Sequence, residues 1–340
     1  MKLIIGQEKY IFQCLKEASN DVKGSFLLCK DDVLFKSRLS TAGLLFWYTI
    51  KSMKSAEHHK KDGFVFWGTS VFSIGVLDAL KEWGIIPDVI ITAPDKPKGR
   101  NLMITPPQVK IWAQQNGIPL IQPEILDDSL RSTLYALGST LFLVASYGKI
   151  IPQHILDIPK HGTLNVHPSL LPKLRGASPI QSAILSEDAT GVTIILLDDK
   201  MDHGSIVAQK EIPIAPWPPK TSELEKILAH EGGKLLGEII PRWIAGKITA
   251  REQEHDIATY TKKFTKEDGL IDLSGDPTMN FRKIQAFDVW PKAYFFTERH
   301  GKKIRVTITD AELIEGKLLI KKVLPEGKKE MKYGDFLRGN

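Results

Sequence analysis

Gly63-Phe64-Val65-Phe66-Trp67-Gly68-Thr69-Ser70 begins the stretch that decides the fold. A short apolar run over residues 63–67 breaks at Gly68-Thr69-Ser70. Apolar positions Phe72, Val76, Leu77 and Leu80 then recur at helical spacing. Gly84 closes that helix, and Pro87-Asp88 leads into a second strand, Val89-Ile90-Ile91. Residues 94–107, rich in Pro, Lys and Gly, read as a loop. Helix 108–115, strand 119–121, helix 129–136, strand 141–145 and strand 162–167 follow, the last running into Pro168. Strands separated by helices predict an α/β fold: a doubly wound, mostly parallel, Rossmann-like sheet with helices on both faces. A ligand of such a sheet lies outside the carboxyl ends of its strands.

The rhythm changes after Thr190. Residues 192–197 and 206–212 read as strands flanking a short loop, and residues 222–244 as a long helix capped by Thr221 or Ser222. Beyond Arg251 the helix signals weaken. Residues 304–308, 311–313 and 317–324 read as strands with Gly and Lys in the turns, which predicts a small β-barrel. The boundary between the two parts falls near residues 246–256, giving a first domain over 63–250 and a second over 251–340. Residues 1–62 fit neither pattern. Residues 2–5 and 26–28 could be strands and 8–18 a helix, while the polar stretch 51–62 reads as a linker.

Composition bounds the class. A chain of 340 residues, 42% hydrophobic and 25% charged, suits a soluble protein of two domains. No run of eighteen apolar residues is present, so a spanning helix is not expected. The longest apolar run of the first sixty residues, 43–50, lacks the context of a signal peptide. Two cysteines, Cys14 and Cys29, make no disulfide framework and suit a reducing, cytoplasmic setting. A net charge of +6 permits a polyanionic partner without requiring one.

The chemistry concentrates in Asn165-Val166-His167-Pro168-Ser169-Leu170-Leu171-Pro172-Lys173-Leu174-Arg175-Gly176. Asn165 and His167, two apart on one strand, point the same way and face one pocket from the strand's carboxyl end. An Asn-x-His pair by itself does not separate a catalytic histidine from a structural one. Asp198-Asp199-Lys200-Met201-Asp202-His203-Gly204 adds a carboxylate on a short loop. Amide, imidazole and carboxylate are the parts that formyl transfer to an amine requires. The amine sheds a proton, the tetrahedral carbon carries an oxyanion, and the departing nitrogen is protonated.

The string 165–176, together with Asp202, resembles the signature of the 10-formyltetrahydrofolate-dependent transferases. That resemblance implies a catalytic set of Asn165, His167 and Asp202. It also implies a folate pocket lined by Ser169, Leu170, Leu171 and Pro172, to which Tyr147 is assigned as well. Within the family, Arg175-Gly176-Ala177-Ser178-Pro179-Ile180-Gln181 and Phe66-Trp67-Gly68-Thr69-Ser70 are similar to motifs of the methionyl-tRNA formyltransferases, departing at Ser178 and Ser70. Thr92-Ala93-Pro94-Asp95-Lys96-Pro97-Lys98-Gly99-Arg100 matches the loop that in those enzymes reaches the acceptor end of tRNA, and Arg100 aligns with an arginine that reads the initiator acceptor stem. Residues 286–291 and 324–339 resemble their second domain, which implies a C-terminal β-barrel of the oligonucleotide-binding (OB) kind that holds tRNA. There Lys328 and Lys329, with lysines at 302, 303, 317, 321, 322 and 332, suit a phosphate backbone.

The resemblance covers residues 63–340 and not 1–62, which reads either as an upstream start or as a genuine extension. It implies 10-formyltetrahydrofolate as formyl donor, initiator methionyl-tRNA as acceptor, a monomer, and neither a metal nor a membrane partner. His58-His59, His154 and His161 lack ligand spacing, and Gly68-Thr69-Ser70 is no dinucleotide fingerprint. The rivals are an amino-sugar N-formyltransferase, a formyltetrahydrofolate hydrolase and a tRNA-binding module without activity. Arg100's loop and the ending 324–339 disfavour the first. Residues 1–62, too short for a regulatory domain, together with the second domain disfavour the second. Asn165, His167 and Asp202 together disfavour the third.

Overall fold

Strand β1 (Phe64–Gly68) is buried along its whole length, as expected of a strand covered on both faces. Its alternate residues divide the molecule into two layers. Phe64 and Phe66 enter one apolar cluster, with Val76, Leu143, Val166 and Leu236, while Val65 and Trp67 enter another with Leu134, Phe142 and Ile155. The computed structural model describes residues 63–98, 102–299 and 301–339. The expected extension over 1–62, both cysteines, His58-His59 and Arg100 lie outside them.

After β1, helix α1 (Val71–Glu82) starts at Ser70. The Ser73 hydroxyl accepts from the Thr69 and Ser70 N–H groups at 3.0 and 3.2 Å and donates to the Ala145 carbonyl at 2.6 Å. The helix start is thereby tied to the neighbouring strand. Then come β2 (Val89–Ile91), β3 (Lys96–Lys98), β4 (Met103–Thr105), α2 (Gln108–Gln115), β5 (Leu120–Ile121), α3 (Asp128–Leu137), β6 (Leu141–Ala145), α4 (Gln153–Leu156), β7 (Thr163–His167), β8 (Arg175–Gly176), α5 (Pro179–Ser186), β9 (Thr190–Leu196), β10 (Ile206–Ile212) and α6 (Thr221–Ile244).

Seven strands form one sheet in the order β10-β9-β7-β6-β1-β2-β5. Neighbours are parallel from β7 to β5, and antiparallel where β9 meets β7 and β10. The chain reverses its direction of travel between β1 and β6, which opens a crevice at their carboxyl ends with β7 beside it. Helices α1 and α6 cross in very close contact. A Cβ at Gly75 would lie 2.6 Å from that of Ala229, and one at Gly233 would lie 2.6 Å from that of Ala79. Only glycine permits this approach.

The rest of the chain adds β11 (Tyr260–Thr261), α7 (Pro277–Ala286), β12 (Tyr294–Arg299), β13 (Lys302–Ile314), β14 (Lys317–Pro325), β15 (Met331–Lys332) and α8 (Tyr333–Arg338). Strands β12 to β15 form an antiparallel meander around a separate core that includes Ile271, Ile284, Phe295, Val306, Ile308, Val323 and Phe336. Register shifts at Asp310 bend β13 around that core in a barrel-like curl. Phe287 and Phe264 instead join the main core, their rings edge to face at 5.0 Å.

The structure departs from the sequence reading in several places. Residues 94–107 contain the β3/β4 hairpin, paired from Lys96↔Thr105 to Lys98↔Met103; proline and lysine hid it. The expected strands 304–308 and 311–313 are one strand, β13. Helix α7 was missed, although Asp276 caps it by accepting from Met279 N–H at 2.9 Å with Pro277 in the first turn. Neither Thr221 nor Ser222 caps α6. Thr221 lies within the helix and donates to the Ala286 carbonyl at 2.7 Å, and Ser222 binds Asp288. Among the described residues no helix is long and apolar enough to cross a membrane.

Candidate active site

Strand β7 carries Asn165 and His167 between β6 and β9, opposite Ile195 and Thr193 of the latter. Both are nearly buried, at 8% and 4% exposure. The Asn165 carboxamide makes no hydrogen bond among the described residues. His167 is bracketed by acceptors. Its Nε2 lies 3.0 Å from the Leu174 carbonyl oxygen, which can only accept, so Nε2 carries a proton. Its Nδ1 lies 3.5 Å from Asp202 Oδ1, looser than a tight charge-assisted pair.

Asp202 Oδ2 accepts the Gly176 N–H at 2.8 Å. Burial pushes this carboxyl's pKa up, but the facing His167, the Gly176 N–H and the nearby Arg175 charge outweigh it. The net effect holds Asp202 below the ordinary carboxylate range. The backbone here is strained: Leu174 and Asp202 sit at φ 62° and 50°, in the left-handed region. Gly204 anchors the loop, since a Cβ there would lie 1.8 Å from the Leu196 carbonyl oxygen.

The turn after β7 is built inward. Ser169 is buried, donates to the Lys173 carbonyl at 2.7 Å, and accepts the Thr193 hydroxyl on its own carbonyl at 2.6 Å. Leu171 packs with Ile195 and Ile206, and its N–H donates to Thr193 at 3.2 Å. Leu170 and Pro172 are half-buried. Tyr147 is also buried, its ring edge-on to Trp67 at 5.1 Å. Burial raises its pKa to about 12, and its hydroxyl has no partner among the described residues. Ser169 and Leu171 thus shape the wall of the crevice more than they line it.

A layer that sequence reasoning missed comes from residues 251–261. Arg175 is 1% exposed. Its guanidinium donates to Gln253 Oε1 at 2.7 and 3.1 Å, to His255 Nδ1 at 2.9 Å and to the Tyr260 hydroxyl at 3.2 Å. Gln253, itself buried, donates from Nε2 to the carbonyls of Asp202 and Gly204 at 2.9 and 2.7 Å. Strand β11 pairs with β8, and Thr259 receives the Leu174 N–H on its hydroxyl at 2.8 Å and the Arg175 N–H on its carbonyl at 2.9 Å. His255 stacks on His203 at 4.0 Å, and His203 meets Asp198 at 2.7 Å. Arg175 stood in a quoted motif, but nothing in the pattern around Gln253 marked it.

The structure therefore brings Asn165, His167 and Asp202 together with the Ser169–Pro172 turn, at the carboxyl end of β7. The hairpin β3/β4 exposes Met103 and Ile104. Lys328 and Lys329 are exposed on the turn between β14 and β15, as are Lys302, Lys303, Lys317, Lys321, Lys322 and Lys332 nearby in that sheet. Among the described residues no group of three or more His, Cys, Asp or Glu is placed to hold a metal ion.

The family model described as "Formyl transferase" matches residues 64–240. A methionyl-tRNA formyltransferase of Chloroflexus aggregans is 41% identical over 260 residues, covering 75% of this chain and 84% of the relative. One of Bacillus subtilis is 36% identical over 301 residues, covering 81% and 94%. In fold, the chain is similar to the solved structure of a methionyl-tRNA formyltransferase from Clostridium thermocellum, with a TM-score of 0.51, 16% identity, and coverage of 78% and 98%.

Proposed function

The chain belongs to the formyl transferase family, among the methionyl-tRNA formyltransferases, and on that premise we propose that it moves the formyl group of 10-formyltetrahydrofolate onto the free amino group of initiator L-methionyl-tRNA. One observation carries the assignment to this site: the nearly buried Asn165, whose carboxamide makes no hydrogen bond among the described residues, stands two residues from an imidazole that faces an ionised carboxylate. An amide with no hydrogen bond to the described residues is available to donate to charge that exists only during reaction.

In the mechanism, the methionyl amine attacks the formyl carbon. A nitrogen–carbon bond forms, the carbonyl oxygen takes up the electron pair, and Asn165 donates to that oxyanion. His167 is the second donor. Its Nε2 proton is committed to the Leu174 carbonyl, so the working side is Nδ1, where the 3.5 Å separation from Asp202 leaves the looser bond. Asp202, ionised, favours a proton on Nδ1 and takes up the amine's proton directly or through water. When the tetrahedral carbon collapses, the bond to the folate nitrogen breaks and that nitrogen is protonated, so one proton leaves the amine and one reaches the leaving group. A folate derivative supplies the formyl group and binds between the Ser169–Pro172 turn and Tyr147.

We assign residues 63–250 to catalysis and 251–340 to tRNA. Lys328, Lys329 and the neighbouring lysines take the phosphate backbone, and Arg100 reads the acceptor end. The enzyme acts as a cytoplasmic monomer and needs no metal. A single-turnover assay with labelled 10-formyltetrahydrofolate and charged initiator tRNA tests the whole reading. Rapid appearance of formylmethionyl-tRNA is expected. Transfer to an amino sugar nucleotide, with none to tRNA, would overturn it.

A further inference from the structure

Arg175 is a costly side chain to place. It is a fully buried cation, and no carboxylate among the described residues forms an ion pair with it. Burying a charge without a counter-ion is strongly unfavourable unless its donors are satisfied. Here the satisfying acceptors are neutral, and all come from the segment that follows α6: Gln253, His255 and Tyr260. Gln253 occupies the middle of this arrangement. Its oxygen takes two guanidinium N–H groups, and its nitrogen gives its bonds to the carbonyls of Asp202 and Gly204.

We propose that Gln253 is a positioning residue for the transfer reaction, joining Arg175 to the Asp202 loop so that the carboxylate stays set against His167. The proposal rests on the functional reading above. Gln253 reaches no reacting atom and acts through two neighbours. Asp202 sits in left-handed backbone, a conformation that must be imposed from outside the loop. The Gln253 bond to the Asp202 carbonyl is one restraint on that backbone, and the close approach at Gly204 is another. The same amide fixes Arg175, whose charge helps to keep Asp202 ionised. His255 assists through Nδ1, which accepts from Arg175.

Gln253→Met keeps the length and removes both sets of bonds. It is expected to lower kcat about 10- to 100-fold, the range typical of residues that orient a reacting group, with KM for both substrates within about threefold. The acid limb of the kcat–pH profile should move to higher pH. In an Asp202→Asn background the same change should cost almost nothing further, because Gln253 acts through Asp202. A reading independent of turnover is the 13C carboxyl titration of Asp202, which should shift to higher pH in Gln253→Met. If Gln253→Met does not fold, Gln253→Asn carries the same cycle, since it keeps a neutral amide but is one methylene too short to span from Arg175 to the carbonyls of Asp202 and Gly204. Additive losses with Asp202→Asn, or an unmoved Asp202 titration, would overturn the proposal. A wild-type protein that transfers nothing to methionyl-tRNA would sink the functional reading, while the titration would still decide on Gln253.

Discussion

Asn165→Ala should lower activity without lowering stability, and the reason lies in what its carboxamide does not touch. Most buried polar side chains repay their burial with a hydrogen bond to the protein, so truncating one strands its partner and costs about 1–3 kcal/mol. Asn165 is 8% exposed and has no such partner among the described residues. Its removal strands nothing. The alanine variant loses some packing but no side-chain hydrogen bond to the described residues, so its stability should lie within about 1 kcal/mol of wild type, in either direction. For a chain of 340 residues that is a change of roughly 1–2 °C in Tm. Turnover should fall on the order of a hundredfold to a thousandfold, about 2.7–4 kcal/mol of transition-state stabilisation, with KM little changed. Single-turnover formyl transfer beside thermal melting reads both quantities. His167→Ala is the contrast. It leaves the Leu174 carbonyl and the Asp202 carboxylate without their partner, so both activity and Tm should drop. If Asn165→Ala transfers formyl within threefold of wild type, or melts ten degrees lower, the carboxamide is structural and the oxyanion assignment fails.

Asp202→Asn should be nearly inactive, and its stability should respond less to acid than that of wild type. The folded-state pKa of Asp202 is depressed, so its contribution is fully present above the ordinary carboxylate range and is lost as pH falls through the folded value. Urea melts between pH 7 and pH 3 should show the wild-type advantage shrinking only on the acid side. Glu225→Gln should match or exceed wild-type stability at pH 7–8. Burial, and then the nearby Asp288, raise that carboxyl against the Phe72 N–H bond that favours its charge, so the ionised form costs stability at neutral pH and the difference should fade on acidification. Arg100→Ala should erode the preference for initiator over elongator methionyl-tRNA. Lys328→Glu with Lys329→Glu should weaken both tRNAs equally and flatten the log–log salt slope by roughly 0.7–0.9 per lost phosphate contact, measured by titration across a salt series.

The doubly wound core was readable because its strands are nearly continuous apolar runs, and its helices announce themselves by spacing and caps. Helix Gln108–Gln115 and strand Leu141–Ala145 came out with the expected bounds. The strand pair within 96–105 did not, because Lys96-Pro97-Lys98 has the composition of a loop and pairs only with Met103–Thr105. Helix α7 was hidden by its few apolar residues, although Asp276-Pro277 is a usable start signal. At the site, Asn165, His167 and Asp202 were legible because strand alternation and one loop carboxylate place them together. The orientation of His167 was not, since it depends on a backbone carbonyl, that of Leu174. Nor was Gln253, because its partners lie 78 positions away at Arg175 and about 50 away at Asp202 and Gly204. Contacts of that range leave no local periodicity to read.

The pairing of β11 with β8 bears on how this architecture can be taken apart and recombined. A cut at the apparent join, after Ala250, would leave the first part with its arginine buried and stripped of every side-chain acceptor it uses. At about 1.5–3 kcal/mol for each hydrogen bond to a charged group, that loss approaches the whole stability of an ordinary domain, about 5–15 kcal/mol. The exchangeable module is therefore longer than the sheet it contains. A chimaera that grafts a foreign second part onto this chain should succeed only when the crossover lies beyond Thr261, so that the strap travels with the loop it fastens.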